Sequence, residues 1–350
     1  MTFEKFYDKN YKKFLILPAV LILISIVYIF IYTTQTGSPI NPDVTLTGGT
    51  VYTIQTTYSA SEMEQKLAEK FEDFEVKSIS DNAGNQLQLI ITCPEDSSEL
   101  IKADIESILG FKLTIENSSK EQTDSSLSSE FYSQLLIAII LAFFWMAAAV
   151  FIIFSKGKKR KFWVIITNIL FALFLGNFFL KWNPILSLIV FLAFAVGFIY
   201  TYIKNSVPAF AVMLSAFADI VMTLALVDLI GMKISTAGIV AFLMLIGYSV
   251  DSDIMLTSRL LRKKESVNGA IKGAFKTGST MTFTSIIAIG VALIVVYPFA
   301  SVLNQIFIIL LFGLSFDLLN TWIANASILK WYVESSSKEK TSKFNWRKKK

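Results

Sequence analysis

Three apolar stretches of the chain carry aspartate where a carboxylate is expensive. Asp219 lies midway along one stretch, with Ser215 and Thr223 four residues to either side on the same helical face. Asp317 lies midway along another and is followed by Asn320, Thr321 and Asn325, while Asp251 and Asp253 stand near one end of a third, just after Gly247-Tyr248-Ser249. A charge at the centre of a bilayer costs roughly 2.5 to 3.5 kcal/mol on insertion scales unless it is protonated, paired or hydrated. Such carboxyls are therefore candidates for proton or ion relay, and the alternative is interhelical hydrogen bonding that only fixes packing. Asp251, Asp253 and Arg259 also allow an interfacial ion pair, and Asp228, close to the end of its stretch, is placed to pair with Lys233. The polar run Thr277, Ser279, Thr280, Thr282, Thr284 and Ser285 is a candidate lining for the same cavity. The chain has no histidine and one cysteine, Cys93. An imidazole shuttle, an intramolecular disulfide and a cysteine-rich metal site are excluded, no catalytic residue, metal or cofactor is expected, and any proton chemistry falls to carboxylates.

The elements that must position these residues are membrane helices. With 54% hydrophobic and 17% charged residues and thirty phenylalanines among 350, the chain is too apolar for a soluble protein. Windows of about 20 apolar residues predict eight spans, roughly Phe14 to Tyr32, Ser133 to Phe154, Phe162 to Leu180, Ile185 to Ile203, Pro208 to Ile230, Ser235 to Leu256, Met281 to Tyr297 and Val302 to Ile328. The first lacks a small-x-small cleavage pattern at its end and is read as a retained anchor. Lysine and arginine collect at alternate ends, in Lys5 to Lys13, Lys156 to Lys161, Lys204, Arg259 to Lys276 and the tail, while the short opposite loops hold only Lys181 and Lys233. That asymmetry predicts a cell (cytoplasmic) membrane protein with both termini cytoplasmic and its basic runs against anionic membrane lipids; the net charge of +5 gives no reason to expect a nucleic-acid partner.

The long segment between the first two spans, Thr33 to Tyr132, is then outside and is acidic, with seventeen acidic and six basic residues. Alternation in Val51 to Gln55 predicts a strand, and Ser59 with Glu62 reads as a capping box ahead of the stripe Met63, Leu67 and Phe71. A hairpin follows through Phe74 and Val76, a turn at Asp81 to Asn85, and Leu87, Leu89 and Ile91; a second helix runs through Leu100 to Leu109. Phe111, Leu113 and Ile115 are expected as the fourth strand, giving a βαββαβ, ferredoxin-like α+β head, and Asn117 to Glu130 as a flexible return link.

Four strings carry a family resemblance: Leu46-Thr-Gly48-Gly49-Thr50, Ser215-Ala-Phe-Ala-Asp219-Ile, Leu245-Ile-Gly-Tyr-Ser-Val-Asp251-Ser-Asp253-Ile-Met-Leu-Thr-Ser-Arg259, and Thr277-Gly-Ser-Thr-Met-Thr282. Their order and spacing resemble the SecF branch of the resistance-nodulation-division superfamily, in its archaeal style. The resemblance implies a polytopic α-helical membrane half of that type and an auxiliary role in protein export, with a SecD-like subunit, the Sec channel complex and translocating preproteins as partners, and no covalent catalysis. In the bacterial members of the family this activity is coupled to the proton motive force, and by motif Asp219 takes the family's mid-span acidic position. There the bacterial members read His-Asp and this chain Ala218-Asp219. Asp251 falls on the Asn of the family's Val-Asn-Asp, Ser252 on its Asp, and Arg259 on its helix-end Arg.

The expected organisation is 1–32, the N-terminus and first span; 33–132, the head; 133–204, spans two to four; 205–328, the remaining core; and 329–350, a basic tail. Against a family core of six spans, roughly Lys156 to Lys204 reads as an extra helix pair, which an even count permits without inverting the downstream spans. The competing reading is an exporter half for lipids or small molecules on the same scaffold. A packing-only assembly factor and an intramembrane aspartyl protease are weaker alternatives, and no phosphate-binding loop of the Gly-x-x-x-x-Gly-Lys-Ser/Thr type is present.

Overall fold

The computed structural model describes residues 10–71, 74–80, 86–123, 125–179, 181–262, 266–297 and 301–336. All eight expected spans are helices long and apolar enough to cross a membrane. The first helix, α1 (Ile16–Thr36), stops at Gly37, whose φ of 77° turns the chain left-handed while its N–H caps Thr33 O at 2.9 Å. The second span is α5 (Ser125–Phe154), followed by α6 (Lys158–Asn177), α7 (Pro184–Asn205), α8 (Val207–Leu229), α9 (Thr236–Leu261), α10 (Val267–Val296) and α11 (Ser301–Leu319). A wide π-helical turn, Asn320–Asn325, continues α11, and helix resumes to Ser336. Asn183 and Ser206 accept the N–H groups of Ile185 and Ala209, and with Pro184 and Pro208 in the first turns they start α7 and α8.

Of the eight, α8 and α9 are the central helices, with 67% and 56% of their apolar windows buried against 6% for α1. Helix α11 packs on both, and its approach to α9 depends on a missing side chain: a Cβ at Gly313 would stand 2.4 Å from Leu245 Cδ1 and 2.5 Å from Cδ2. The pair α6 and α7 is peripheral, with α6 packed on α5 and α7 on α8. Aromatic rings hold it there. Phe171 lies 4.6 Å from Phe144 and 5.2 Å from Phe194, and Tyr202 lies 4.9 Å from Phe151.

Between α1 and α5 the head forms one antiparallel sheet of β1 (Gly49–Gln55), β2 (Glu75–Ser80), β3 (Gln86–Cys93) and β4 (Ser118–Thr123), in the order β2-β3-β1-β4. Helices α3 (Ala60–Ala68) and α4 (Ser98–Leu109) pack on one face, where Tyr52, Ile54, Met63, Leu67, Leu89, Ile91, Ile101 and Ile105 are buried. This is the expected βαββαβ fold. The hairpin turn expected at Asp81 to Asn85 lies outside the described residues.

Three local expectations are corrected. The fourth strand is 118–123, not Phe111 to Ile115. The earlier segment is a turn closed by Asn117, whose Oδ1 accepts Thr114 N–H at 2.7 Å and whose Nδ2 donates to Lys112 O at 3.0 Å, and Ile115 is fully exposed. The polar strand Ser-Ser-Lys-Glu-Gln-Thr succeeds because an edge strand needs backbone pairing, and its inner side chains find partners: Lys120 on Glu99 at 2.8 Å and Gln122 on Glu95 at 2.9 Å. The stretch read as a flexible link is therefore strand and then helix. Ser59 does precede α3, but its Oγ meets Ser61 Oγ at 2.9 Å in place of the capping-box bond.

The root of the head is laced to the membrane part by a short ladder. Asp43 N–H donates to Ile234 O at 2.9 Å and Ile234 N–H to Asn41 O at 2.6 Å. A four-residue helix, α2 (Val44–Thr47), leads from there to Gly48, whose φ of 87° favours glycine, and then into β1. Asp228 does not pair with Lys233: it accepts the N–H of Asn41 at 3.3 Å, tying the end of α8 to the same root.

Gly313→Ala forces Leu245 from its place and should destabilise the protein by about 1–3 kcal/mol, read as a lowered Tm in detergent. Leu245→Ala in the same chain should abolish most of the added cost. Cys93 is fully buried beneath the sheet, and burial pushes its thiol up to about 11. It should resist a maleimide at pH 7.5 in the native protein and label rapidly in denaturant.

Candidate functional site

Three of the sequence-predicted carboxylates converge. Asp219 on α8, Asp253 on α9 and Asp317 on α11 are buried together where these helices meet, each at most 1% exposed. Asp219 accepts from Ser249 Oγ at 2.5 Å and from Asn320 Nδ2 at 2.7 Å. Asp253 Oδ1 accepts from Asn325 Nδ2 at 2.6 Å and faces Thr321 Oγ1 at 2.8 Å. Asp317 stands 3.0 Å from the same Thr321 hydroxyl, and Ser252 Oγ lies 3.1 and 3.2 Å from its two oxygens.

The local sequence explains the convergence. On α9, Ser249 and Asp253 are four residues apart and share a face, so one turn of helix offers a donor to α8 and a carboxylate to α11. On α11, positions 317, 320, 321 and 325 form one stripe, and the π-helical turn widens the helix through them. Such turns are frequent at functional sites because they break the regular ladder locally. Asn320 then reaches α8 while Thr321 and Asn325 reach α9.

Every partner in the cluster is neutral. Among the described residues no ion pair reaches any of the three aspartates. Three negative charges so close together in an apolar interior repel one another and have no solvent to screen them. Thr321 has a single hydroxyl hydrogen shared between Asp253 and Asp317, so one of those short contacts is a donor bond only when a carboxyl itself carries the proton. Asp253 Oδ2, Asn320 Oδ1, Asn325 Oδ1 and Ser215 Oγ are buried without a hydrogen-bond partner, giving acceptor sites that a carboxylic O–H could use. The arrangement suits a group of coupled acids that hold protons and exchange them with small rotations.

Most other predicted residues lie elsewhere. Asp251 is exposed on the far side of α9 and takes no part in the cluster. Arg259 is exposed and donates to Thr277 Oγ1 at 3.1 Å, so the suggested ion pair with the nearby aspartates is not formed. Thr280 is exposed and bonds back to Lys276 O at 2.7 Å, and Thr223 bonds back to Asp219 O at 2.6 Å; both hydroxyls satisfy their own helix. Ser215 is buried on α8 with its hydroxyl turned to the Asp253 carboxyl, so it belongs with the cluster, and Thr282 is buried on α10 away from the three aspartates' hydrogen bonds. Gly48, Gly49 and Thr50 belong to the root of the head, not to the membrane site. The donors Ser249 and Ser252 are site residues that sequence reasoning misses. Their signal is nonetheless present: a serine four residues before Asp253 and another directly before it.

Eight helices long and apolar enough to span a membrane among the described residues, a ferredoxin-like head and buried acids on the central helices define the class: a polytopic helical membrane subunit with a small α+β head. The family description "Protein export membrane protein SecD/SecF, C-terminal" matches residues 175–335. The SecF protein-export membrane protein of Methanolacinia petrolearia is 30% identical over 344 residues, covering 95% of this chain and 98% of that one. That of Methanocaldococcus jannaschii is 32% identical over 331 residues, covering 93% and 96%. The crystal structure of SecDF, a translocon-associated membrane protein from Thermus thermophilus, superposes with a TM-score of 0.54 at 14% identity. The alignment covers 95% of this chain and 38% of that longer one, and it shows the fold. The chain belongs to the SecF family of protein-export membrane proteins.

Asp253→Leu should cost about 1–3 kcal/mol for the buried Asn325 amide it orphans, while the Thr321 hydroxyl keeps Asp317 as its partner. Thermal unfolding in detergent reads the loss, and Asn325→Leu added to Asp253→Leu should recover part of it.

Proposed function

We propose that this SecF-family chain promotes protein export across the cytoplasmic membrane as an auxiliary subunit of the Sec translocase, and that protonation of the Asp219, Asp253 and Asp317 cluster drives its conformational cycle. The observation that carries the coupling is the cluster itself: three carboxyls with neutral donors and no cation, shared among the three helices that make the centre of the membrane part. Gain or loss of one proton changes which of Thr321's contacts is a bond, and so changes how α11 sits against α9. Moving one charge through 100 mV supplies about 2.3 kcal/mol, enough to bias such an equilibrium.

The motion has a physical route outward. Helix α8 carries Asp219 at its middle and Asp228 at its end, and Asp228 holds the N–H of Asn41 at the root of the head. The asymmetry of the basic loops supports both termini in the cytoplasm and the head outside, and on this reading the head holds an emerging polypeptide against backsliding. Asp251 supports a SecD-like partner. An exposed carboxylate within a span is costly against lipid, and a second membrane half laid on this face of α9, beside exposed Met244 and Tyr248, removes that cost.

Asp219→Asn should abolish the part of export that depends on the proton gradient, while membrane level and Tm stay close to the parent protein. Export into inverted vesicles, with and without an uncoupler, measures it. Gradient-dependent export at the parental rate in Asp219→Asn would sink the coupling.

A further inference from the structure

The two free edges of the head sheet are not alike. Strand β2 carries a register shift at Ile79/Ser80 and an outward pair, Lys77 on Glu75 at 2.7 Å, features that discourage a further strand. Strand β4 is regular through all six of its pairings with β1, from Gly49↔Thr123 to Ile54↔Ser118, and among the described residues nothing pairs with its other side. Its lysine is engaged on the helix-bearing face and does not guard that edge: Lys120, though exposed, is bonded to Glu99 and lies 5.7 Å over the Tyr52 ring.

Beside β4 a slot of about 450 Å³ opens between the strand and α4, lined by Tyr52, Lys102, Leu113, Ile115, Ser118 and Lys120. Its rim carries an apolar side chain where a solvated turn has no reason to: Ile115 is fully exposed. Lys102 forms no ion pair among the described residues, in a head that is otherwise acidic. A row of unpaired backbone groups next to a side-chain slot is the arrangement by which sheets take up an extended peptide, with the main chain giving affinity and the slot giving selectivity.

We infer that the β4 edge and the slot beside it form a binding site for an extended polypeptide, which adds as a fifth strand and turns an apolar side chain, and an acidic one two residues along on the same face, toward Ile115 and Lys102. This rests on the export reading and names where the head would grip its client. The grip is sequence-tolerant, because ladder hydrogen bonds are made by any backbone and only alternate side chains meet the slot. Side chains of moderate size fit such a volume. A folded domain does not.

The test uses the full chain in detergent and a fluorescein-labelled ten-residue peptide that repeats isoleucine-serine-aspartate-serine, so that isoleucine and aspartate share one face of the strand. Fluorescence anisotropy should show saturable binding. N-methylation of the peptide along one edge should weaken it at least tenfold, and along the other edge leave it unchanged. Ile115→Asp, at a position too exposed to affect folding, should also weaken binding at least tenfold, and Lys102→Glu should favour a peptide with arginine in place of aspartate. Absence of binding, equal loss from both methylation patterns, unchanged binding in Ile115→Asp, or β4 protected from hydrogen exchange by a second copy or a SecD-like head without peptide would each overturn the site. Peptide binding lost while export stays gradient-dependent removes the site and leaves the coupling standing; peptide binding retained while Asp219→Asn exports normally does the reverse.

Discussion

Buried carboxylates without a cation are the constraint on which the membrane part depends. A single aspartate in hydrocarbon can be neutralised by one proton, whereas Asp253 and Asp317 share the Thr321 hydroxyl beside Asp219, so that under the proposed coupling the packing of their helices follows how many protons the three hold. Helices α8, α9 and α11 each contribute one acid, and α9 and α11 contribute the donors. The close approach of α9 and α11 at Leu245 and Gly313 and the π-helical turn at 320–325 both serve to bring those groups within hydrogen-bond distance. A regular helix through Asn325 would aim fewer of the stripe's side chains inward. The other five spans have ordinary apolar interfaces and large lipid-facing surfaces, as their exposure shows.

The head is built on different terms. Its core is a small ferredoxin-like layer of aliphatic side chains, and its tie to the membrane is a short backbone ladder at Asn41, Asp43 and Ile234 together with Asp228. Hydrogen bonds of this kind contribute about 0.5–1.5 kcal/mol each, so the tie is the sum of a few modest contacts. The root also carries the left-handed turn at Gly48, so the Gly-Gly-Thr string is explained by backbone geometry at the hinge of the head. The outer end of the return path is firmer than its polar composition suggests, since β4 runs with only residue 124 between it and α5.

The peripheral pair α6 and α7 is held by stacked and tilted phenylalanines and by Arg160, which donates to Asn205 at 3.2 Å across the ends of the two helices. Aromatic packing of this kind needs no polar complement in lipid, so such a hairpin sits on the side of the bundle without disturbing the acids at its centre.

Hydropathy locates all eight spans, because a bilayer demands about twenty apolar residues wherever a chain crosses it and the signal is local. Period-two and period-3.6 patterns mark the strands and helices of the head core, and the rarity of charge in a span singles out Asp219, Asp251, Asp253 and Asp317. Local pattern fails where pairing is long-range. Phe111, Leu113 and Ile115 alternate like a strand but meet no partner, whereas 118–123 is polar throughout and pairs with β1 because the chain returns there. Asp251 and Asp253 are alike in sequence, and only the rotation of α9 in the packed bundle decides that one faces its neighbours and the other faces out. Residue order alone dictates what must be buried in lipid and which charges are costly there. Which of those charges share a hydrogen bond is settled only by packing, because it depends on helices brought together from positions up to about a hundred residues apart.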